Sequence, residues 1–296
     1  STDGTLDQLA KKPFKHTSDT IYLWIRPPHY ISTKDFNQNH FNIFYTMHES
    51  ETFECWKSNW PELLNQCKAV IVPTEWNKRT FESKGVKVPI YVVPLGVNPK
   101  IFYGCKTKEF SILAVHEGLG KEGSREDWQT SAEVYLDVFQ NTPQQVSFTI
   151  KTWNSDIPNF NKFIASIAKK LEKPLEELPR FNIIDTEFLP QDMNALYGRH
   201  HLFLKNANRE GWCLPAHEAM STGMKIVCTD LPPMREFLYE KNTQWFKLGD
   251  FNKLKEIFSW EFKQWRKWKG YVNSFSQSRS VYKLAEILTK IWLPFS

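Results

Sequence analysis

From residue 110 onward, short apolar runs alternate with longer stretches in which apolar residues recur at helical spacing. The apolar runs predict strands at 110–115, 146–151, 181–184, 201–204, 225–228 and 244–247. The stretches between and after them predict helices near 128–140, 159–172, 191–198, 215–222, 233–239 and 250–268. Such alternation is typical of parallel β/α units with helices on both faces of the sheet. The pattern therefore predicts a complete Rossmann-like domain.

The beginning of the chain carries a thinner version of the same pattern. It predicts strands at 21–26, 42–47, 69–72 and 90–93 and helices near 57–67 and 75–84. We expect an α/β protein with a reduced Rossmann-like domain at 1–100, a boundary near 96–106 and a second Rossmann-like domain at 101–274. Apolar residues follow helical spacing again near 278–292, so we expect the segment 275–296 to cross back onto the first domain.

Length and composition fit two globular domains. The chain has 296 residues, 41% of them hydrophobic, and no apolar run reaches the roughly 18 residues of a membrane span. The first residues are too polar for a signal peptide, and because residue 1 is not Met we expect a processed chain or one domain of a longer polypeptide. Five cysteines without a C-x-x-C pair suggest neither a disulfide framework nor a zinc site. These features predict a soluble cytoplasmic protein.

The net charge of +5 is concentrated near the end of the chain, where residues 253–290 hold nine Lys or Arg against three Glu. This segment contains Lys263, Arg266, Lys267 and Lys269, interleaved with Trp265 and Trp268. Two interpretations are open. The segment contacts phosphates or an anionic membrane surface peripherally, or it is the solvated face of a helix whose tryptophans pack inward.

The most informative segment runs from Arg209 to Gly223 and places Glu210 and Glu218 eight residues apart around a loop that leads into a helix. Gly211 permits backbone angles that other residues resist, which suits a tight loop at this point. Pro215 suits a first helical position, and the free N–H groups of a helix start favour an anion such as a diphosphate. Carboxylates beside a phosphate are unfavourable unless hydroxyls donate hydrogen bonds to them. The pattern therefore favours a nucleotide sugar as ligand. In the alternative interpretation, Glu218 only satisfies the helix dipole in the first turn and Glu210 is a surface charge.

This segment resembles the E-x7-E signature of family-4 retaining glycosyltransferases with the GT-B fold. It departs from the usual pattern at Cys213, His217, Ser221 and Lys225. The segments 45–50, 67–77 and 92–98 follow the landmarks of the N-terminal half of that family in the same order, and the resemblance covers about residues 20–292. The glycine-rich loop that usually follows the first strand has no counterpart, which leaves the acceptor site without a family guide.

The resemblance implies a donor site with assigned roles. Glu210 would contact the hydroxyls of the donor sugar, and Glu218 would hold the ribose hydroxyls. The remaining positions implied to bind the donor are Gly96, Glu187, Phe188 and the backbone of Gly211, Trp212, Cys213 and Leu214.

The departing diphosphate also needs positive charge, because no D-x-D pair stands in a context that would recruit a metal. By resemblance, Arg125 is the first candidate, while Glu126 occupies a position where the family often has lysine. Lys121 is expected to replace that lysine, and Lys151 is a further candidate. The alternative is that these are solvated loop charges.

On the facing domain, His48 and Glu49 follow the strand predicted at 42–47, and either is expected to orient the acceptor hydroxyl. The resemblance implies a retaining, metal-independent transfer from a UDP- or GDP-linked sugar to a hydroxyl acceptor, a glycan by first expectation. Two alternatives stay open: transfer to hydroxymethylated DNA bases of the phage type, and a non-catalytic module that binds nucleotide sugars or glycans. The sequence leaves the oligomeric state undetermined.

Overall fold

The computed structural model describes residues 21–28, 41–50, 60–103, 110–265, 284 and 286–288. The first part forms a four-stranded parallel sheet in the order β1-β2-β3-β4. Its strands are β1 (Ile21–Ile25), β2 (Phe41–Tyr45), β3 (Ala69–Val72) and β4 (Ile90–Val92), and its helices are α1 (Trp60–Leu64) and α2 (Glu75–Ser83). All four strands and both helices were predicted, with ends shifted by a few residues.

Alternate residues of these strands feed two separate cores, because successive side chains of a strand point to opposite faces. Phe44 and Val70 pack with Trp60 and Phe81 on one face. Ile43, Ala69, Ile71 and Val93 form the core of the other face, where they meet the buried Ile287. The described residues near the end of the chain thus pack on the first sheet, while most of the helix predicted at 278–292 lies outside the described residues.

The second part forms a six-stranded parallel sheet in the order β10-β9-β8-β5-β6-β7. Its strands are β5 (Phe110–Glu117), β6 (Val146–Trp153), β7 (Phe181–Ile184), β8 (Leu202–Lys205), β9 (Lys225–Thr229) and β10 (Thr243–Phe246). The helices are α3 (Trp128–Phe139), α4 (Ile157–Lys170), α5 (Pro190–Tyr197), α6 (Leu214–Ser221), α7 (Pro232–Arg235) and α8 (Phe251–Gln264). The six strands confirm the predicted β/α alternation.

Helices cover both faces of this sheet. Phe110, Ile112 and Leu204 point into the core that contains α3, α4 and α8, whereas Leu113 and Phe203 point into the core that contains α5, α6 and α7. Helix starts are fixed locally, for example by Asp127, whose side chain accepts a hydrogen bond from the backbone N–H of Thr130. The fold is therefore α/β with two parallel sheets.

One helix is shorter than predicted. Helix α7 ends at Arg235 instead of 239, although Phe237 and Leu238 beyond it stay buried. Helix α8 is described only to Gln264, where Lys263 is exposed and Trp265 packs against the core, as expected for a solvated helix face. Arg266, Lys267, Trp268 and Lys269 lie outside the described residues. In the part of the chain that the structure describes, no helix is both long and apolar enough to cross a bilayer.

Candidate functional site

The order of the second sheet creates a crevice between β5 and β8. From β5 the chain proceeds outward through β6 and β7, then returns to β8 on the other side and proceeds outward again. Ligands of open parallel sheets bind at such a switch point, outside the carboxyl ends of the strands. The loops after β5 and β8 are joined here, because Asp127 donates its N–H to the Asn206 carbonyl at 2.9 Å and Asn208 donates to the Arg125 carbonyl at 3.0 Å.

This junction holds five charged residues in contact, here called the charge cluster: Glu49, Arg125, Glu126, Lys205 and Glu210. Arg125 Nη1 lies 2.7 Å from Glu49 Oε1 and 3.8 Å from Glu210 Oε1, and its Nε donates to Glu126 Oε1 at 3.1 Å. Lys205 Nζ lies 2.8 Å from Glu126 Oε1 and 2.7 Å from Glu210 Oε1. The cluster joins the two sheets, since Glu49 follows β2.

Burial makes these contacts strong. The side chains of Glu126, Lys205 and Glu210 are almost fully buried, whereas Arg125 is 20% and Glu49 35% exposed. Burial acts to raise the pKa of Glu126, but the charges of Lys205, His116 and Arg125 outweigh it and hold the pKa at about 2. For Glu49, burial prevails and raises the pKa, despite the opposing charge of Arg125.

Burial and neighbouring charges shift the pKa values of the two cations in opposite directions. Burial acts to lower the pKa of Lys205 and of Arg125, but the surrounding carboxylates, Glu210 first among them, raise both pKa values above their ordinary range. Both side chains therefore stay charged at neutral pH. Three carboxylates face two cations, and the most exposed carboxylate, Glu49, contacts the most exposed cation, Arg125.

Three predicted residues meet in this cluster, namely Glu49, Arg125 and Glu210. Lys121 does not join them, because its Nζ donates to Asn154 Oδ1 at 2.5 Å. The lysine that the structure places in the cluster is Lys205, which the sequence did not single out, and the role expected of Lys121 stays a prediction. The available signal for Lys205 was a charged residue that directly follows the apolar run Leu202 to Leu204.

At Gly211, the loop after β8 packs against the backbone that follows β2 of the first sheet. A Cβ atom at this position would lie 2.7 Å from the backbone oxygen of His48, and Asn77 Nδ2 donates to the Gly211 carbonyl at 3.3 Å. Gly211 is not among the glycines with a positive φ. The expectation that it serves for unusual backbone angles is therefore corrected: close packing of two backbones is what requires a glycine.

The ring of His48 is buried and held in place by its own loop. Its Nδ1 donates a hydrogen bond to the Ser50 carbonyl at 2.6 Å, its backbone N–H donates to Asn77 Oδ1 at 2.8 Å, and its ring meets Trp60 edge to face at 5.3 Å. Burial lowers its pKa. This environment favours a neutral histidine that shapes the loop before Glu49, and its predicted contact with an acceptor stays a prediction.

Helix α6 begins at Leu214, with Cys213 as the N-cap residue and Pro215 in its first turn. Glu218 therefore lies in the second turn, and its expected place in the first turn was wrong. Its carboxylate accepts a hydrogen bond from the Tyr197 hydroxyl at 2.8 Å. Burial raises the pKa of Glu218 to about 7, although the bond from Tyr197 acts to lower it.

Glu218 lines a cavity of about 330 Å³, here called the second-sheet cavity. Its wall consists of Gly96, Val97, Asn98, Ile101, Phe102, Phe188, Pro190, Met193, Leu214 and Glu218. Four predicted donor-site residues from separate parts of the chain thus meet here: Gly96, Phe188, Leu214 and Glu218. The cavity combines an aromatic ring, a titrating carboxylate and a helix start.

The other predicted donor-site residues do not line this cavity. Trp212 and Cys213 are buried in the apolar core, where Trp212 stacks on Phe237 with 4.1 Å between ring centroids, so only their backbone is able to contact a ligand. Lys151 Nζ lies 5.7 Å from the Phe188 ring centroid and donates to the Thr152 carbonyl at 3.0 Å. Glu187 is exposed beside Phe188.

A second cavity, of about 340 Å³, opens at the carboxyl ends of the first sheet and is here called the first-sheet cavity. Its wall consists of Ile25, Arg26, Pro27, Tyr45, Thr46, Met47, Pro73, Leu95 and Leu214. The two cavities share Leu214, and Leu95 of one wall adjoins Gly96 of the other. Two pockets therefore meet at the start of helix α6.

Comparisons with known proteins place this geometry in a structural class. No protein-family model matches the chain, and no curated protein sequence matches it. Similar solved structures exist. TarM matches 93% of this chain and 55% of its own, with 16% identity and a TM-score of 0.64. A trehalose-6-phosphate structure from E. coli bound with UDP-2-fluoro glucose matches 93% and 70%, with 14% identity and a TM-score of 0.62.

The chain also matches sucrose-phosphate synthase from Thermosynechococcus elongatus, over 88% of this chain and 70% of that one, with 13% identity and a TM-score of 0.61. It spans 64% of the α,α-trehalose 6-phosphate synthase from Burkholderia multivorans, with a TM-score of 0.58. These neighbours are GT-B glycosyltransferases. The two parallel sheets of this chain have the same GT-B fold, and identities this low establish the fold alone. Membership of family 4 stays a prediction.

Proposed function

We propose that this protein is a retaining, metal-independent glycosyltransferase that moves a sugar from a nucleotide diphosphate sugar to a hydroxyl acceptor. The observation that carries the proposal is the position of Glu210. Its carboxylate is held between Lys205 and Arg125 at the switch point of the second sheet, directly before the helix start that borders the second-sheet cavity. The solved neighbours support a UDP-linked donor, since one was bound with UDP-2-fluoro glucose and the pneumococcal O-GlcNAc transferase GtfA with UDP and GlcNAc.

The second-sheet cavity receives the nucleoside. Phe188 offers a ring face to the base, and Glu218 accepts hydrogen bonds from the ribose hydroxyls once its carboxyl group is ionised. The diphosphate then lies at the start of helix α6, where the free N–H groups and the helix dipole favour negative charge. This placement directs the sugar toward Glu210, which accepts hydrogen bonds from its hydroxyls.

Arg125 supplies the positive charge for the leaving diphosphate. In the charge cluster it is paired with Glu49, and a phosphate oxygen replaces that carboxylate without a new buried cation being created. The carboxylate of Glu49 then orients the acceptor hydroxyl. The leaving phosphate accepts the proton of the acceptor hydroxyl on the face from which it departs, while Arg125 and the helix start stabilise the developing charge.

The test compares Arg125→Ala with Arg180→Ala, a control in which an exposed arginine far along the chain is removed. Loss of a group that stabilises developing charge lowers kcat by about a hundredfold to a thousandfold, so Arg125→Ala should fall in that range. A thermal-shift panel of nucleotide sugars first identifies the donor. A nucleotide sugar at about 100 times its Kd stabilises the folded protein by about 2.7 kcal/mol. Equal activity of both folded variants would refute the role of Arg125, and no shift with any nucleotide sugar would refute the proposal.

A further inference from the structure

The first-sheet cavity has a wall chemistry that selects its occupant. Six of its residues present aliphatic, thioether or proline surface, namely Ile25, Pro27, Met47, Pro73, Leu95 and Leu214. The hydroxyl of Tyr45 is already engaged, since it donates to the Val93 carbonyl at 2.7 Å. Among the described residues of this wall, Arg26 is the one formal charge, and it is exposed.

One polar atom in this apolar wall has no partner within the described residues. Thr46 is 6% exposed, and its Oγ1 is buried without a hydrogen bond, while its backbone N–H donates to the Ile71 carbonyl at 3.0 Å. A buried hydroxyl without a partner is unfavourable by about 1–3 kcal/mol, so such a group is normally satisfied by a ligand or by water. A turn of the Thr46 side chain toward the cavity would give an occupant one directional contact in an otherwise apolar space.

The position of the cavity fits an acceptor. It lies at the carboxyl ends of parallel strands, and it shares Leu214 with the cavity to which the donor is assigned. The first-sheet cavity has a volume of about 340 Å³, which is near the lower limit of roughly 300 Å³ for pockets that bind small ligands. Its occupant is thus small, apolar and adjacent to the end of the donor.

We propose that the acceptor is a hydroxyl compound whose apolar group enters the first-sheet cavity, with Thr46 in contact with its polar substituent. That this compound is the acceptor rests on the proposed function, but the preference of the cavity for apolar ligands is testable without it. A phosphorylated sugar held by Arg26 is the competing occupant. The two occupants differ in charge and in apolar surface, so they are separated by direct comparison.

The experiment measures binding of 4-nitrophenyl glucoside, methyl glucoside and glucose 6-phosphate by ligand-observed NMR, without any donor. We expect the aryl glucoside to bind about tenfold to a hundredfold more tightly than the methyl glucoside, since burial of one ring accounts for that range. Ile25→Asp places a charge in the wall at an exposed strand end and should remove this preference. Leu175→Asp, at a residue that is 51% exposed and lies outside the wall, should leave it unchanged.

Thr46 has its own pair of variants. Thr46→Val keeps the shape of the side chain but removes the hydroxyl, so it should lower the affinity for the aryl glucoside several-fold. Thr46→Ser keeps the hydroxyl and should keep the wild-type affinity. Equal binding of aryl and methyl glucosides, or a preference for glucose 6-phosphate that Arg26→Ala removes, would overturn the inference. Either result leaves the proposed function standing, because donor binding is measured separately with nucleotide sugars.

Discussion

Lys205 offers a sharp test of the charge cluster. Replacement by Met keeps the length of the side chain and removes the ammonium group, so the carboxylates of Glu126 and Glu210 lose their 2.8 and 2.7 Å partner inside the protein. Arg125 remains, but it lies 3.8 Å from Glu210 and has Glu49 as its closest partner. The variant therefore leaves Glu210 buried with one distant cation.

The expected cost follows from the burial of all three groups. Removing one partner of a buried ion pair typically destabilises a protein by about 3–5 kcal/mol, because the other charge stays buried without compensation. That is a large part of the roughly 5–15 kcal/mol by which domains are stable. Adding Glu126→Gln removes one of the uncompensated carboxylates. The loss of unfolding free energy in the double variant should therefore be about 0.5–3 kcal/mol smaller than the sum of the two single losses.

Urea unfolding at pH 7 measures these free energies, with Lys121→Met as the control. Lys121 is partly exposed and contacts Asn154, so its loss should cost less than about 1 kcal/mol. Acid offers a second readout. Glu126 has a pKa of about 2 in the folded protein against 4.5 as its ordinary value, so its contribution is present above 4.5 and is lost as pH falls toward 2. The difference in the free energy of unfolding between wild type and Lys205→Met should therefore decrease as the pH falls over that range. A cost below about 1 kcal/mol for Lys205→Met, or strict additivity with Glu126→Gln, would refute the reasoning.

Two further predictions concern donor binding and the contact between the sheets. The pKa of Glu218 is raised to about 7, and hydroxyl donors need its carboxylate, so the affinity for UDP-glucose should rise with pH up to about 7 and then level off. Calorimetry between about pH 5.5 and 8 tests this, and a profile that Glu218→Gln leaves unchanged would contradict it. Gly211→Ala puts a methyl group 2.7 Å from the His48 oxygen, so we expect a loss of about 1–3 kcal/mol in urea together with lower transfer. Gly85→Ala, where an added methyl meets open space at a φ of 92°, should affect stability alone, and identical behaviour of both variants would argue against the contact.

The strands were predictable because apolar runs in a parallel sheet are continuous and leave a strong signal. The end of helix α7 was not. Met234, Phe237 and Leu238 all face the core, but burial at these spacings continues after the helical hydrogen bonds stop at Arg235. A pattern of buried residues reports which side chains are covered, and an irregular segment pressed against the core produces the same pattern as a helix.

Glu210 and Glu218 were singled out because they surround one loop, whereas Gly96 and Phe188, from separate parts of the chain, were named through the family resemblance. Their donor roles stay predictions. Lys205 was missed because nothing local distinguishes a buried lysine at a strand end from an exposed one, and one of its two partners, Glu126, is 79 residues away. Only the junction of the loops after β5 and β8 brings the two together. The role of Gly211 was misread for the same reason, since the backbone that it must avoid belongs to the other sheet.

Leu214 belongs to the walls of both cavities, so neither pocket is able to rearrange at that residue alone. If an occupant of one cavity turns this side chain, it alters the fit of the other occupant. Thermodynamic linkage then requires reciprocity: the factor by which the donor changes acceptor affinity equals the factor by which the acceptor changes donor affinity. If the two cavities hold donor and acceptor as proposed, the first residue of a short helix becomes a point of heterotropic coupling between them.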